Sequence, residues 1–384
     1  MNWNQGLNTP GFKGIILSSF VLGISFGGYI PLQSLWLESI GRTFSEIGIT
    51  NGIVGLGIVI SAYFLSRLGI RKGATNLIIA GLISAAIMAI LFRLSDNMPL
   101  WLTIKFISGI ALGTHWVLSE AWLLKITPLE LRSRAIAIYA TSMSLGFALG
   151  PALIWKFGFA SFWPFVFVAL ALVLGAMPFF FMKKYEPELE LNIAQSPIKL
   201  IAKHPTVVVA CIVAGGVDLA MLSLLPALAA RSHNASAELV ILLVPAMALG
   251  TIFFQYPAAK LAEKFGARPI SAYFAVSGTF FCALVPFCFN STPAAVSLAF
   301  IGAGLVYGLY TLGLTMLSMR IKPSEIVAAN AGFVIVFEIS NLVGPTMAGW
   351  MADFSRNYGF SLFVCSLGIL FLFTYMLRLN SRRN

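Results

Sequence analysis

The sequence predicts an all-α membrane protein with twelve transmembrane helices arranged as two six-helix bundles. Composition, the spacing of apolar runs and an internal duplication carry that prediction. Of 384 residues, 59% are hydrophobic and 10% charged, against about 25% charged in an ordinary soluble domain. So few charges cannot cover a soluble body of this size, and lipid must be the solvent over much of the surface.

A spanning helix needs about 20 mostly apolar residues. Such runs occupy residues 12–37, 47–65, 74–94, 99–124, 135–155 and 161–182. A second set occupies 205–228, 239–259, 269–289, 293–318, 327–350 and 359–379. Most connections are very short, so the spans are expected to form compact bundles. The longest polar stretch, KKYEPELELNIAQSPIKLIAK at 183–203, divides the chain almost in half. The expected organisation is an N-terminal six-helix bundle over 1–182, a cytoplasmic linker over 183–203 and a C-terminal six-helix bundle over 204–384. The mixed charges of the linker read as a solvated segment with room for a short surface helix. Met1 to Pro10 is polar and the run after it is too long for a signal-peptide core, so the first span is expected to be retained.

The net charge is +11, but the basic residues sit in short clusters between apolar runs. They form no continuous basic face with interleaved aromatics, which argues against a nucleic-acid partner. Lysine and arginine accumulate in cytoplasmic loops. With both termini inside, 19 of the 25 basic residues fall on the inner side. The outer side keeps Arg42, Arg93, Lys105, Lys156, Arg231 and Arg356. That asymmetry predicts cytoplasmic termini and an even number of spans. The four cysteines, Cys211, Cys282, Cys288 and Cys365, all lie in apolar stretches. No CxxC pair or metal-ligand spacing occurs, so no metal site or disulfide framework is expected.

The halves repeat each other. Phe106-Ile107 returns as Phe300-Ile301 and Gly150-Pro151 as Gly344-Pro345, each 194 positions later. Pro128-Leu129-Glu130 returns as Pro323-Ser324-Glu325, and Arg67-Leu68-Gly69 aligns with Lys264-Phe265-Gly266. A near-constant offset in register with the span order indicates a duplicated six-helix unit. Parallel repeats of this kind occur in transporters that bind solute near the midplane.

Two motifs carry a family resemblance. After the second span, Ala62 to Arg71 matches the pattern G-x-x-x-D-[RK]-x-G-x-[RK] at Arg67, Gly69 and Arg71, with Ala62 for the glycine and Ser66 for the acid. After the eighth span, Ala259 to Arg268 matches it at Glu263, Lys264, Gly266 and Arg268, with Ala259 for the first glycine. Gly146, Gly150 and Pro151 in the fifth span, and Gly344 and Pro345 in the eleventh, offer close helix approach and a kink. Over its whole length the chain resembles the major facilitator superfamily. The phrases SEAWLL and GLYTLGL are similar to a poorly characterised bacterial branch of it.

The resemblance implies the major facilitator fold and a cavity lined by the first, fourth, seventh and tenth spans. It implies secondary transport of a small solute by alternating access across a bacterial inner membrane. The loop motifs would latch the cytoplasmic side, and the missing acid at Ser66 weakens the first copy. In relatives an acid at the place of Glu120 pairs with that basic loop. No cofactor is implied, the partners expected are solute, lipid and protons, and the chain is expected to work as a monomer.

An ionisable group at mid-bilayer is expensive and therefore a candidate for function. Asp218, near the centre of the seventh span, is the first choice for proton coupling or solute binding. Glu338 in the eleventh span competes with a purely structural hydrogen bond. Glu120 lies one turn from Trp116 on the same helix face. His115 could relay protons or serve as a satisfied hydrogen-bonding group. Tyr307, Tyr310 and Thr311 in the tenth span, with Tyr29 and Gln33 in the first, could line the path. No HExxH, GxSxG or phosphate-cradling GxxxxGK[ST] occurs, so neither an enzyme nor ATP hydrolysis is expected. A uniporter on the same fold, or a receptor that has lost transport, remains open at this point.

Overall fold

The computed structural model describes residues 8–68, 73–128, 131–188, 197–321 and 326–380. Among them, twelve spans are long and apolar enough to cross a membrane, the fifth, Ile138–Phe157, taking in the short helix Ala152–Phe157 as well. We number them α1 (Pro10–Ser39), α2 (Phe44–Leu68), α3 (Ala74–Leu94), α4 (Met98–Ile126), α5 (Arg132–Leu149), α6 (Trp163–Met182), α7 (Pro205–Arg231), α8 (Ala237–Phe265), α9 (Ala267–Leu284), α10 (Thr292–Ser318), α11 (Ile326–Phe354) and α12 (Gly359–Asn380). No strand occurs among the described residues. In lipid only a helix or a closed barrel satisfies every backbone amide internally, and the apolar runs are long enough for helices.

Polar caps set several helix starts ahead of the apolar runs. α2 begins at Phe44 because Thr43 and Glu46 form a capping box. The Glu46 amide donates to Thr43 Oγ1 at 3.2 Å, and the Thr43 amide donates to Glu46 Oε2 at 2.9 Å. Asn97 accepts from the Leu100 amide at 3.0 Å to start α4, and Ser236 accepts from the Leu239 amide at 3.1 Å to start α8. Gly-Pro does what a missing N–H and a fixed φ require. α5 stops at Leu149, and a separate short helix, Ala152–Phe157, follows Pro151.

The linker is tied down at both described ends. Glu186 Oε1 accepts from the amides of Gly73 and Ala74 at 2.6 and 2.8 Å, capping α3. Past residues 189–196, which lie outside the described residues, the short helix Pro197–Ala202 buries Leu200 and Ile201. A Cβ at Gly332 of α11 would collide with the Pro197 carbonyl, so that short helix lies directly on α11.

The chain groups into two compact units. One holds residues 1–32 and 53–192, the other 33–52 and 193–384. The tip of the α1–α2 hairpin therefore packs with the second unit. Within the first unit, α1 and α5 meet backbone to backbone: a Cβ at Gly146 would strike the Phe20 carbonyl, and one at Gly150 the Gly28 amide. Within the second unit, α7 and α11 meet in the same way, with Gly344 against the backbone of Gly216. Without a hydrophobic drive between helices in lipid, such close contact supplies the packing. The duplication thus reuses one helix-pair joint in both units.

Because the Gly344 contact is with backbone, no side chain can rotate away from a larger residue. Gly344→Leu is expected to destabilise the second unit by about 1–3 kcal/mol or more. Thermal unfolding of the detergent-solubilised protein measures the loss.

Candidate functional site

α7 carries Asp218 as residue 14 of 27, about 20 Å from either helix end by helix rise. Its side chain is half-buried and makes no hydrogen bond or ion pair with any described residue. Glu338 of α11 is 4% exposed and accepts one hydrogen bond, from Asn341 Nδ2 at 3.2 Å. Tyr307 of α10 lies within electrostatic range of both carboxyls. Its ring stacks on Tyr310 with centroids 5.6 Å apart and planes 10° apart. Tyr310 in turn meets Phe333 and Phe337 edge-on at 5.0 and 5.1 Å.

The second unit therefore brings together Asp218, Tyr307 and Glu338 from α7, α10 and α11, with Tyr310 behind them. α10 and α11 contain no lysine, arginine or histidine, and the only one in α7 is Arg231 at its last position. The chemistry available is two carboxyls in an apolar, aromatic setting with no basic residue on these helices near them. Such groups can hold and release protons, or pair with a cationic visitor. Asn341 was not foreseen as a partner of Glu338, although their spacing of three residues on one helix signals it. Its Oδ1 finds no hydrogen-bond partner among the described residues. It faces Gly215, where a Cβ would lie 3.2 Å from that oxygen.

The first unit places its predicted residues differently. His115 is fully buried, with Nε2 3.0 Å from Ser18 Oγ. The Ser18 hydroxyl donates its one proton to the Gly175 carbonyl at 2.8 Å, so His115 must donate from Nε2. Its Nδ1 has no partner among the described residues, and Phe179 packs edge-on at 5.8 Å. The ring thereby ties α4 to α1 and α6. Glu120 is half-buried and accepts from Trp116 Nε1 at 2.8 Å, joining the two residues expected on one face. Gln33 is fully buried in α1. Tyr29 is buried between Phe92 and Phe165, each 6.3 Å away and edge-on. Thr311 in α10 is half-buried.

Lys105, counted with the outer side, falls inside the predicted span 99–124. It lies within α4 and is 3% exposed, its Nζ 4.7 Å from the centre of the Tyr29 ring.

The two loop motifs are unequally visible. Gly69, Arg71 and the side chain of Arg67 lie outside the described residues, so their pairing with Glu120 stays an expectation. In the second copy Glu263 and Lys264 are exposed. Gly266 ends α8 with φ 88° and ψ 138°, a conformation that a side chain would strain. The Arg268 guanidinium lies 5.6 Å from the centre of the Tyr375 ring.

The family model of the Major Facilitator Superfamily matches residues 15–229 and 208–384. The chain belongs to this superfamily. Among similar proteins, the uncharacterised MFS-type transporter YfkF of Bacillus subtilis is 23% identical over 345 residues, 88% of this chain and 87% of that one. The uncharacterised MFS-type transporter YcaD of Salmonella enteritidis is 22% identical over 361 residues, 91% of this chain and 90% of that one. The crystal structure of the nucleoside transporter NupG superposes with a TM-score of 0.76 at 12% identity, covering 96% of this chain and 99% of that one. A bacterial homologue of the human lysosomal transporter Spinster, inward-facing and occupied, gives 0.76 at 15% identity, covering 97% and 96%. Major facilitator membership and the twelve-helix fold make this a multi-pass membrane transporter.

Asn341→Ala removes the hydrogen bond that Glu338 receives and leaves the carboxyl without it. A cost of about 1–3 kcal/mol is expected, read as a lower unfolding temperature. Glu338→Gln together with Asn341→Ala should cost less than the sum of the two single changes.

Proposed function

We propose that this major facilitator protein is a proton-coupled secondary transporter that moves a small solute by alternating access. Asp218 carries the reading: a carboxyl at the centre of α7, half-buried and without a hydrogen bond or ion pair among the described residues. A carboxyl paired with a basic group is held in its charged form, whereas one without a charged partner can exchange protons as its surroundings change. Glu338, within electrostatic range of the same tyrosine, is the second group. Protonation of the two would bias which side the binding site opens to, and Tyr307 and Tyr310 would contact the solute.

The 19-to-6 division of basic residues supports cytoplasmic termini in a bacterial inner membrane. The loop motifs with Glu120 would hold the cytoplasmic side, and the chain would act as a monomer. The residues that move as bodies would be the six-helix halves on either side of the linker at 183–203. The hydrogen bond from Asn341 to Glu338 favours a second reading, a uniporter in which the acids are structural. Proton movement evoked by solute in proteoliposomes separates the two, since a uniporter gives none.

A deletion strain screened across nutrients and toxic compounds identifies the solute. With that solute, Asp218→Asn is expected to abolish accumulation driven by a proton gradient while exchange of solute persists. Transport with an unchanged dependence on pH in the variant removes Asp218 from the mechanism.

A further inference from the structure

Charged residues in α7–α12 divide sharply by depth. The basic ones are Arg231, Lys260, Lys264, Arg268 and Arg378, each within six residues of a helix end. α10 has no charged residue, and no histidine occurs in the six helices. Glu238, Glu263 and Asp353 also lie near helix ends. Mid-span, only Asp218 and Glu338 remain, with no basic residue at that depth to neutralise them.

Hydrogen bonding there is as one-sided as the charge. Glu338 Oε2 accepts from Asn341 Nδ2, while Asn341 Oδ1 is buried and has no partner among the described residues. Glu338 Oε1 and both carboxyl oxygens of Asp218 accept nothing from the described residues either. Gly215 sits one turn before Asp218 on α7, and a Cβ there would lie 3.2 Å from Asn341 Oδ1. The open acceptors of α11 therefore face the same stretch of α7 that carries the open carboxyl. Acceptors this deep are costly until a donor arrives.

Tyr307, in electrostatic range of both carboxyls, supplies an aromatic face. It stacks on Tyr310 and makes no other ring or cation contact among the described residues. A ring face attracts cations through its quadrupole. A hard metal ion such as calcium takes about six to eight oxygens, more than are open here. An anion would bring only further acceptors beside two carboxyls.

We propose that Asp218, Glu338, Asn341 and the Tyr307–Tyr310 stack recognise an organic ammonium ion that carries an apolar body. Its N–H groups donate to the open oxygens, its charge meets a carboxylate, and its body lies along the face of Tyr307. The assignment names the solute class for the transport site proposed above and rests on that reading.

Phenethylammonium, phenethyl alcohol and phenylacetate share one apolar body and differ in charge. Calorimetry on the full-length protein in lipid nanodiscs at neutral pH, with empty nanodiscs subtracted, measures their binding. The ammonium ion is expected to bind at least about tenfold more tightly than the alcohol, as hydrogen bonds to a charged group require. Asp218→Asn or Glu338→Gln should bring it down to the level of the alcohol. Tyr307→Leu should weaken it about three- to tenfold, whereas Tyr307→Phe keeps the ring and the affinity. If a carboxyl variant does not fold, the two Tyr307 variants carry the test. Equal binding of ammonium and alcohol, tighter binding of phenylacetate, or equal affinities in Tyr307→Leu and Tyr307→Phe overturns the proposal. So does no ammonium binding up to about 10 mM, well above ordinary KM values. The measurement needs no proton gradient. Failure here, with proton-driven accumulation of another solute still abolished by Asp218→Asn, removes the ammonium class and leaves the coupling. Ammonium binding without proton movement keeps the class and removes the coupling.

Discussion

A polar group inside lipid has no water to fall back on, so each must find a partner in the protein or remain exposed to a cost of several kcal/mol. That constraint shapes the molecule at every level. It makes the spans helical, because a helix closes its own hydrogen bonds except at its ends. It then places caps at those ends, such as Asn97, Ser236 and the Thr43–Glu46 pair. It also explains why Glu186 reaches from beyond α6 to the amides that begin α3. The start of the linker is part of the helix array for this reason.

Partnered polar groups settle where the helices end, but not how closely they pack. Lipid tails compete equally well for leucine, so helix contact must come from shape. The glycines of α1 and α5, and those of α7 and α11, bring backbones together in equivalent places of the two units. Repetition of Gly-Pro at 150–151 and 344–345 is the trace of that joint in the sequence. The two prolines act differently, however. After Pro151 a new short helix begins, whereas Pro345 sits inside an uninterrupted α11. Proline removes the same donor in both, so neighbours determine whether the helix breaks.

Patterns local in sequence were therefore legible, and those that depend on distant neighbours were not. The twelve spans follow from apolar runs of the right length, and the pairing of Trp116 with Glu120 follows from helical periodicity. The loop glycine at 266 follows from its motif and is required by its backbone conformation. In contrast, His115 finds Ser18 across 97 residues, and Asp353 finds Phe44 across 309. No periodicity encodes such separations. The hairpin tip at 33–52 likewise groups with residues 193–384 across a long separation.

The carboxylates divide according to how they meet the constraint. Glu46, Glu186 and Asp353 each accept from backbone amides at a helix start, and Glu38 is held by Arg231. The first three thus serve helix starts, where backbone donors are free, and the fourth has a charged partner. Glu338 takes one side-chain amide, and Asp218 takes no hydrogen bond among the described residues. An asparagine at 218 would fill nearly the same volume with a smaller desolvation cost. What a carboxylic acid adds there is the ability to gain or lose a proton, or to meet a positive charge that arrives from outside. A structural role does not call for that ability, whereas a coupled transport cycle does.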